Sequence, residues 1–170
     1  ELPNFAQNQQ GLGIAPGFPF EHTHRHHAHL MAIYPLKVLN YQREADRDLM
    51  EKSLDQLQEA GTREWTGYSF AWAACLMAQA KRGDVALDLL QKFARNFCVA
   101  NSFHVNGDQK GGQFSNFTYH PFTLEGNFAF AQGIHELLLQ CHDGVIEVFP
   151  ALPKSWNEVS FESLRAEGAF

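Results

Sequence analysis

The stretch GYSFAWAACLMAQAKRGDVALDLLQKFARNF, residues 67–97, decides the fold that this chain is expected to adopt. Its first half, residues 68–80, is apolar almost all round, which predicts a helix that is buried on most sides. The second half places five apolar residues on one helical face: Leu87, Leu90, Phe93, Ala94 and Phe97. Between the halves, residues 81–83 supply a stop with Gly at the cap, and Asp84 caps the second helix. The stretch therefore predicts an αα-hairpin.

Upstream of this hairpin the sequence predicts a loop, a helical stretch and a further helix. Residues 1–21 are rich in Pro and Gly and have no sustained period, which is typical of a loop. A helical stretch is expected to begin inside the following histidine cluster and to stop at Pro35. The next helix covers residues 43–60 and ends at Gly61. One face of this helix carries Met50, Leu54 and Leu57.

Downstream of the hairpin the sequence predicts a long loop, one more helix and then strands. Residues 99–126 are too many for a simple connector, and their aromatic residues argue against disorder, so we expect a functional loop. A helix follows over about residues 127–140. The tail, residues 142–170, has a turn signal, a short β-branched run and an alternating run through Val159 and Phe161. This pattern indicates strands that open a β-rich module.

Composition excludes several classes of function. The formal net charge is −6 and the 13 Lys and Arg residues are scattered, so no nucleic-acid partner is expected. No apolar run is long enough to span a bilayer, so no membrane insertion is expected. The three cysteines follow no CxxC or zinc spacing, and we expect buried free thiols at Cys75, Cys98 and Cys141. No cofactor is predicted.

The segment EHTHRHHAHL, residues 21–30, holds five of the nine histidines and allows three interpretations. Histidines bind zinc, although this segment lacks HExxH or a comparable pattern. They also cap helix ends and bond to backbone carbonyl groups. In the third interpretation Arg25, with His24 and His26 beside it, presents a rigid set of donors of the kind that binds a neutral polyol such as a sugar.

The segment HPFTLEGNFAFAQG, residues 120–133, places an acid at the predicted start of a helix. Glu125 precedes Asn127, the expected N-cap, so its carboxylate would face the positive end of the helix macrodipole. This environment suits a base, or a group that polarises a base, and not a general acid. The alternative is that Glu125 is only a residue of the helix N-terminus and has no catalytic role. Trp72 lines a ligand cavity only if its buried helix faces one.

Three segments, taken together, resemble glycoside hydrolase family 95, the inverting α-L-fucosidases. They are HRHHAHLMAIYP (24–35), GYSFAWA (67–73) and HPFTLEGNFAFAQGIHELLLQCHDGVIEVFPALPKSW (120–156), and they occur in the order of the family's motifs. The resemblance implies a mainly α fold: a partial (α/α)6 toroid of helical hairpins. It assigns residues 1–141 to the C-terminal part of the catalytic domain and residues 142–170 to the start of a β-rich C-terminal domain.

The resemblance also implies roles for individual residues. It places Arg25 and His26 at the sugar in the −1 subsite, and Glu125 at the position of an Asp that helps to activate the hydrolytic water. It suggests further substrate contacts at His24, His120, Tyr119 and Trp72. The implied substrate is a glycan that bears terminal α-L-fucose or α-L-galactose. The family further implies a periplasmic or secreted protein, and no residue is assigned to a metal.

The chain departs from the family pattern at three places. Glu125 is one methylene longer than the family's Asp, which would move its carboxylate by about 1.5 Å. The motif His-Pro-Pro-Phe appears as Tyr-His-Pro-Phe at residues 119–122, and Ala28 replaces a Ser. The family's asparagine pair and general-acid Glu match no segment here. We therefore expect this segment alone to be inactive and to need an N-terminal part of its own chain.

Two alternatives remain at this point. A non-catalytic carbohydrate-binding relative would tolerate the change from Asp to Glu and the shifted histidine. A histidine-ligated metal protein is the third possibility, and it would depend on the cluster at residues 21–30.

Overall fold

The computed structural model describes residues 5–168, a mainly helical chain with two short antiparallel hairpins. The helices are α1 (Glu44–Ala60), α2 (Gly67–Gln79), α3 (Gly83–Asn96) and α4 (Glu125–Leu138). The strands are β1 (Gln7–Asn8), β2 (Gly11–Leu12), β3 (Leu139–His142) and β4 (Val145–Val148), and Ala28–Leu30 forms a turn of 3-10 helix. No helix in the described part is long and apolar enough to cross a membrane. The predicted class, mainly helix with late strands, is confirmed, and the toroid stays a prediction.

Helix α2 lies at the centre of the core and packs against both α3 and α4. Eleven of its 13 residues are buried, so almost no face of the helix meets solvent. Phe70 packs against Phe97 with ring centroids 4.8 Å apart. Burial of such a side chain contributes about 1.5–3 kcal/mol. The predictions of a buried helix and of an αα-hairpin with α3 are confirmed.

Helix α1 contributes to the same hydrophobic core as this hairpin and also matches its prediction. Its buried face carries Met50, Leu54 and Leu57. The helix ends at Gly61, whose φ of 75° lies in the left-handed region that glycine favours. The backbone N–H of Leu12 donates to Ser53 Oγ at 2.9 Å, which fastens the β1–β2 hairpin to α1. Arg82, in the α2–α3 turn, pairs with Asp55 of α1 at 2.7 Å.

The turn between α2 and α3 differs from the sequence-based expectation. The residue with positive φ is Lys81 (61°), and Gly83 is the first residue of α3. A Cβ atom at Gly83 would collide with the carbonyl group of Ala151, so close backbone packing selects glycine there. Asp84 does not cap α3, because its Oδ1 accepts the backbone N–H of Lys154 at 2.8 Å.

The buried face of α3 is also rotated from the predicted one. Ala94 is exposed and Leu87 is only half-buried, whereas Leu89 is buried. The core face of the helix consists of Ala86, Leu89, Leu90 and Phe93, and the adjoining Phe97 is buried too. The face turns toward Leu89 because α3 packs against both α2 and α4.

The histidine segment forms less helix than predicted. Between residues 22 and 35 the chain makes only the 3-10 turn Ala28–Leu30 followed by turns. Leu30 and Ile33 are both fully buried, so this segment wraps over the core, and tertiary packing overrides its local helical tendency.

Helix α4 starts two residues earlier than predicted. Leu124 is the N-cap and Glu125 is the first helical residue. Asn127 does not cap the helix, because its Oδ1 accepts the backbone N–H of His104 at 2.9 Å and its Nδ2 donates to the carbonyl of Ser102 at 2.9 Å. The prediction of Asn127 as the N-cap is therefore wrong, although Glu125 does lie at the helix start.

Strands β3 and β4 form the hairpin of the C-terminal region. Leu139 pairs with Val148, and His142 pairs with Val145. The turn residues Asp143 and Gly144 both have positive φ, which is the geometry of a two-residue hairpin turn. The expected second strand through Val159 and Phe161 does not form. The proposed boundary between residues 141 and 142 falls inside this hairpin, and the division into two domains stays a prediction.

A buried carboxylate joins α2 to α4. Glu136 is 2% exposed, and it accepts the side-chain amide of Gln79 at 2.6 Å and that of Gln132 at 2.9 Å. Its charge partner is Lys37, whose Nζ lies 3.1 Å from the carboxylate. A buried charge is tolerated only when it is paired and hydrogen-bonded, as Glu136 is here.

The three cysteines are free thiols. Cys75 is buried, but Cys98 and Cys141 are partly exposed, so the prediction of buried thiols is correct for Cys75 alone. Burial raises the pKa of Cys75 to about 12 and that of Cys98 to about 11, so both thiols are protonated at neutral pH.

One member of the histidine segment belongs to the core. His27 is fully buried, and its ring lies 4.7 Å from the ring of Trp65 and 5.3 Å from that of Trp72. Its Nε2 donates to the carbonyl of Ser69 at 3.2 Å, and its Nδ1 has no hydrogen-bond partner. Burial lowers the pKa of His27 to about 3, so the ring is neutral at physiological pH.

This burial predicts a loss of stability in acid. The unfolded chain binds a proton at His27 below about pH 6.5, whereas the folded chain does so only near pH 3, so the free energy of unfolding falls as pH decreases between these values. The expected loss is roughly 1 kcal/mol per pH unit. Urea denaturation between pH 4 and 7.5 measures it. His27→Gln should flatten the slope, while His135→Gln, at an exposed position, should not. Equal slopes in both variants would contradict the prediction.

Gly83 and Gly133, two of the glycines that contact neighbouring elements, differ in what they tolerate. Gly83→Ala forces a methyl group against the Ala151 carbonyl and should lower the free energy of unfolding by about 1–3 kcal/mol. Gly133→Ala meets only the flexible end of Leu90, 2.9 Å away, and should change stability by less than about 1 kcal/mol because alanine favours the helix. Chemical denaturation of the pair tests this, and an equal loss would refute the steric explanation.

Candidate active site

The central recess is a cavity of about 280 Å³ where four separate segments of the chain meet. These segments are the histidine segment, the start of α2, the long loop and the start of α4. The lining residues are Arg25, His26, Thr66, Tyr68, Asn106, Tyr119 and Glu125. Four of the predicted site residues, Arg25, His26, Tyr119 and Glu125, are thus brought together although 100 residues of sequence separate the first from the last.

Two helices begin at this recess. Helix α2 starts at Gly67, whose N–H donates to the carbonyl of Asn106 at 3.0 Å, and α4 starts at Glu125. The positive ends of both macrodipoles therefore face the same cavity, which favours negative charge there. Among the lining residues Glu125 is the acid and Arg25 is the permanent cation. The Glu125 side chain is exposed, and it is reachable from solvent.

Tyr68 lies between the acid and the core. Burial, together with the negative charge of Glu125, raises the pKa of Tyr68, so the phenol keeps its proton and can donate a hydrogen bond. Tyr68 and Glu125 line the central recess and also the adjoining aromatic groove, a cavity of about 540 Å³.

The predicted residue Trp72 lies in that aromatic groove and not in the central recess. The groove is also lined by Tyr34 and Phe128. The indole N–H of Trp72 donates to the carbonyl of Tyr34 at 3.1 Å, which fixes the ring. A substrate could reach Trp72 only by extending past Glu125 into the groove.

Arg25 is positioned through its backbone. The hydroxyl of Ser69 donates to the Arg25 carbonyl at 2.6 Å, and the Ser69 carbonyl accepts from the buried His27. Ser69 also accepts the N–H of Thr66 at 3.1 Å at the start of α2. The segment that carries Arg25 is therefore fastened to the first turn of α2, while the Arg25 side chain stays exposed.

His26 and His24 form a pair at the edge of the recess. The N–H of His26 donates to His24 Nδ1 at 3.1 Å, and the two rings meet edge to face at 5.2 Å. Burial, then the charge of Arg25, lowers the pKa of His26, which keeps the ring neutral at neutral pH. His24 lines a second cavity of about 490 Å³ that shares His26 with the central recess.

The structure does not bring His120 into the central recess, and its side chain is exposed on the loop. Three lining residues were missed by sequence reasoning: Thr66, Tyr68 and Asn106. Asn106 lies in the long loop that was expected to be functional, but nothing in its local sequence marks it. The sequence predicts Tyr68 as a core residue, because its helix is apolar almost all round.

The metal interpretation gains no support from residues 5–168. No three His, Cys, Asp or Glu side chains in this range are placed to hold a metal ion. His27 points into the core, whereas His22, His24 and His26 are exposed. Arg25 and His26, the donors of the third interpretation, both line the central recess, and their role as sugar-binding groups stays a prediction.

Comparison with known proteins identifies the family of this chain. The model of the glycosyl hydrolase family 95 catalytic domain matches residues 19–138, which include both helix starts and the central recess. The chain is also similar to Alpha-L-fucosidase 2 of Arabidopsis thaliana, with 28% identity over 148 residues. That alignment covers 85% of this chain and 17% of the plant protein, so the chain spans about a sixth of its relative. The family match extends over most of the chain, and the chain belongs to glycosyl hydrolase family 95.

Proposed function

We propose that the protein containing this chain removes terminal α-L-fucosyl or α-L-galactosyl residues from glycans with inversion of configuration. The observation that supports the proposal is that Glu125, Arg25 and His26 line one recess, at which two helices begin. The name of the plant relative supports a fucosyl substrate.

The lining residues suit the binding of a neutral sugar. Arg25 offers several donors in a fixed plane, and a neutral His26 offers one donor and one acceptor. Tyr68 and Tyr119 add hydroxyl groups. Such groups hold sugar hydroxyls without requiring a charge on the ligand.

Glu125 has the role of a base, or of a group that makes a water-holding residue more basic. In an inverting hydrolase water attacks the sugar from the face opposite the leaving group, and the two carboxyl groups lie roughly 6.5–9.5 Å apart. Glu125 is the acid among the residues that line the recess, so the general acid that protonates the leaving oxygen is proposed to come from another part of the protein.

The larger architecture is also a proposal. We infer a toroid of helical hairpins to which residues 1–141 belong, a β-rich domain that begins at residue 142, and a periplasmic or secreted location. The start of α4 and the loop before it expose several large apolar side chains, which include Phe103, Phe122, Leu124 and Phe128. An apolar surface of this kind is expected to be covered, and an N-terminal part of the same protein is the proposed cover.

A non-catalytic carbohydrate-binding protein is the second candidate. The longer side chain of Glu125 favours it, because a displacement of about 1 Å can cost a catalytic group much of its effect. Under this alternative the recess binds the sugar and does not hydrolyse the glycosidic bond.

The substrate class is tested with the full-length protein on nitrophenyl α-L-fucoside, nitrophenyl α-L-galactoside and 2′-fucosyllactose. We expect hydrolysis, and NMR spectra recorded during the reaction should show the β-anomer of the sugar as the first product. Sugar binding measured by calorimetry without any turnover would favour the non-catalytic candidate. The absence of both binding and turnover would refute the proposal.

The role of Glu125 is tested by Glu125→Gln in the full-length protein. We expect kcat to fall by about 100-fold or more, with little change in melting temperature, because the amide cannot act as a base. Glu44→Gln is the matched control, since Glu44 occupies the first turn of α1 in the same type of helix-start environment. An unchanged kcat in Glu125→Gln would reduce Glu125 to a capping residue.

A further inference from the structure

A buried histidine outside the central recess lies at the junction of three helices. His104 is fully buried, and its ring stacks on Phe93 of α3 with centroids 5.0 Å apart. A Cβ atom at Gly67 or at Gly126 would collide with the imidazole. The ring therefore fills the space between the first turns of α2 and α4, the two helices that begin at the recess.

The His104 side chain holds the residue two positions before Glu125. Its Nδ1 lies 2.7 Å from the carbonyl oxygen of Thr123 and 2.8 Å from Thr123 Oγ1. A carbonyl oxygen only accepts, so Nδ1 carries the proton. The Thr123 hydroxyl in turn donates to Asn106 Oδ1 at 3.1 Å. These bonds connect the turn before α4 to a lining residue of the recess.

The His104 backbone holds the residue two positions after Glu125. Its N–H donates to Asn127 Oδ1 at 2.9 Å, and its carbonyl accepts the N–H of Thr123 at 3.2 Å. The peptide that carries Glu125 is thus fixed on both sides by one residue. By contrast, the Glu125 side chain itself is exposed and has no hydrogen-bond partner among the described contacts that would fix its direction.

The second ring nitrogen of His104, Nε2, takes no part in the hydrogen bonds described above. Nε2 is buried and has no hydrogen-bond partner in the described part of the chain. Burial lowers the pKa of His104, although the Thr123 carbonyl and the charge of Glu125 act in the opposite direction. The imidazole is therefore neutral, and it donates a hydrogen bond from Nδ1.

We propose that His104 is a positioning residue for Glu125: its Nδ1–H bond to the Thr123 carbonyl sets the first turn of α4 and thereby aims the carboxylate into the central recess. The inference rests on the proposed function, because it assigns His104 an effect on catalysis that acts through Glu125. It does not place His104 in contact with substrate.

The test uses four single variants and one double variant of the full-length protein. His104→Phe keeps a ring of similar size against Phe93 but removes the donor, and His104→Asn keeps an amide N–H near the position of Nδ1. His135→Phe is the control, because it makes the same change at an exposed position on the last turn of α4. Glu125→Gln is combined with His104→Phe to form a double-mutant cycle, which separates coupled from independent effects.

We expect His104→Phe to lower kcat by about 10–100-fold with KM changed by less than about threefold. His104→Asn should restore at least about a tenth of the wild-type kcat, and His135→Phe should leave kcat unchanged. In the Glu125→Gln background His104→Phe should have no further effect. A fall of the same factor in both backgrounds would overturn the proposal, since a general loss of structure would act in both.

The outcomes also separate this inference from the proposed function. If wild type hydrolyses the glycosides but the cycle is additive, only the positioning role fails. If Glu125→Gln retains the wild-type kcat, the role of Glu125 fails and this inference fails with it. Should His104→Phe not fold, the same cycle is measured with His104→Asn, whose expected loss is smaller but is likewise absent in the Glu125→Gln background.

Discussion

The structure depends on the burial of α2 along almost its whole length. A helix that shows no polar face to solvent must be surrounded, and here α3 and α4 pack against it on two sides while the histidine segment lies over its first turn. Because each neighbour is placed by contact with α2, the starts of α2 and α4 come close together. The central recess exists because these two starts meet there.

Much of this fold can be predicted from the sequence, because it follows from local pattern. Local sequence determines the conformation at three places: the continuous apolar run of α2, the apolar face of α1 and the glycine that follows α1. Predictions failed where a contact distant in sequence decides the outcome. Gly83 looks like a helix cap but is selected by the Ala151 carbonyl, and Asn127 looks like a cap but bonds to His104 and Ser102.

The residues of the candidate site were predicted in a different way. The resemblance to the family brought Arg25, His26, Tyr119 and Glu125 to attention, and the structure places all four around one cavity. Their mutual position could not be read from local sequence, since they come from segments without regular spacing. Thr66 and Asn106 could not be predicted for the same reason, because loop geometry and backbone hydrogen bonds place each of them in the recess.

The buried Glu136 has a consequence for the far end of its helix. Glu136 lies 11 positions after Glu125, which in an α-helix is about 16 Å along the axis and almost directly in line. If α4 slid or rolled against α2, the Glu136 carboxylate would leave Gln79 and Lys37 and remain buried without compensation. The buried carboxylate of Glu136 thus fixes the register of α4 against α2, and with it the position of the exposed Glu125 at the start of the helix.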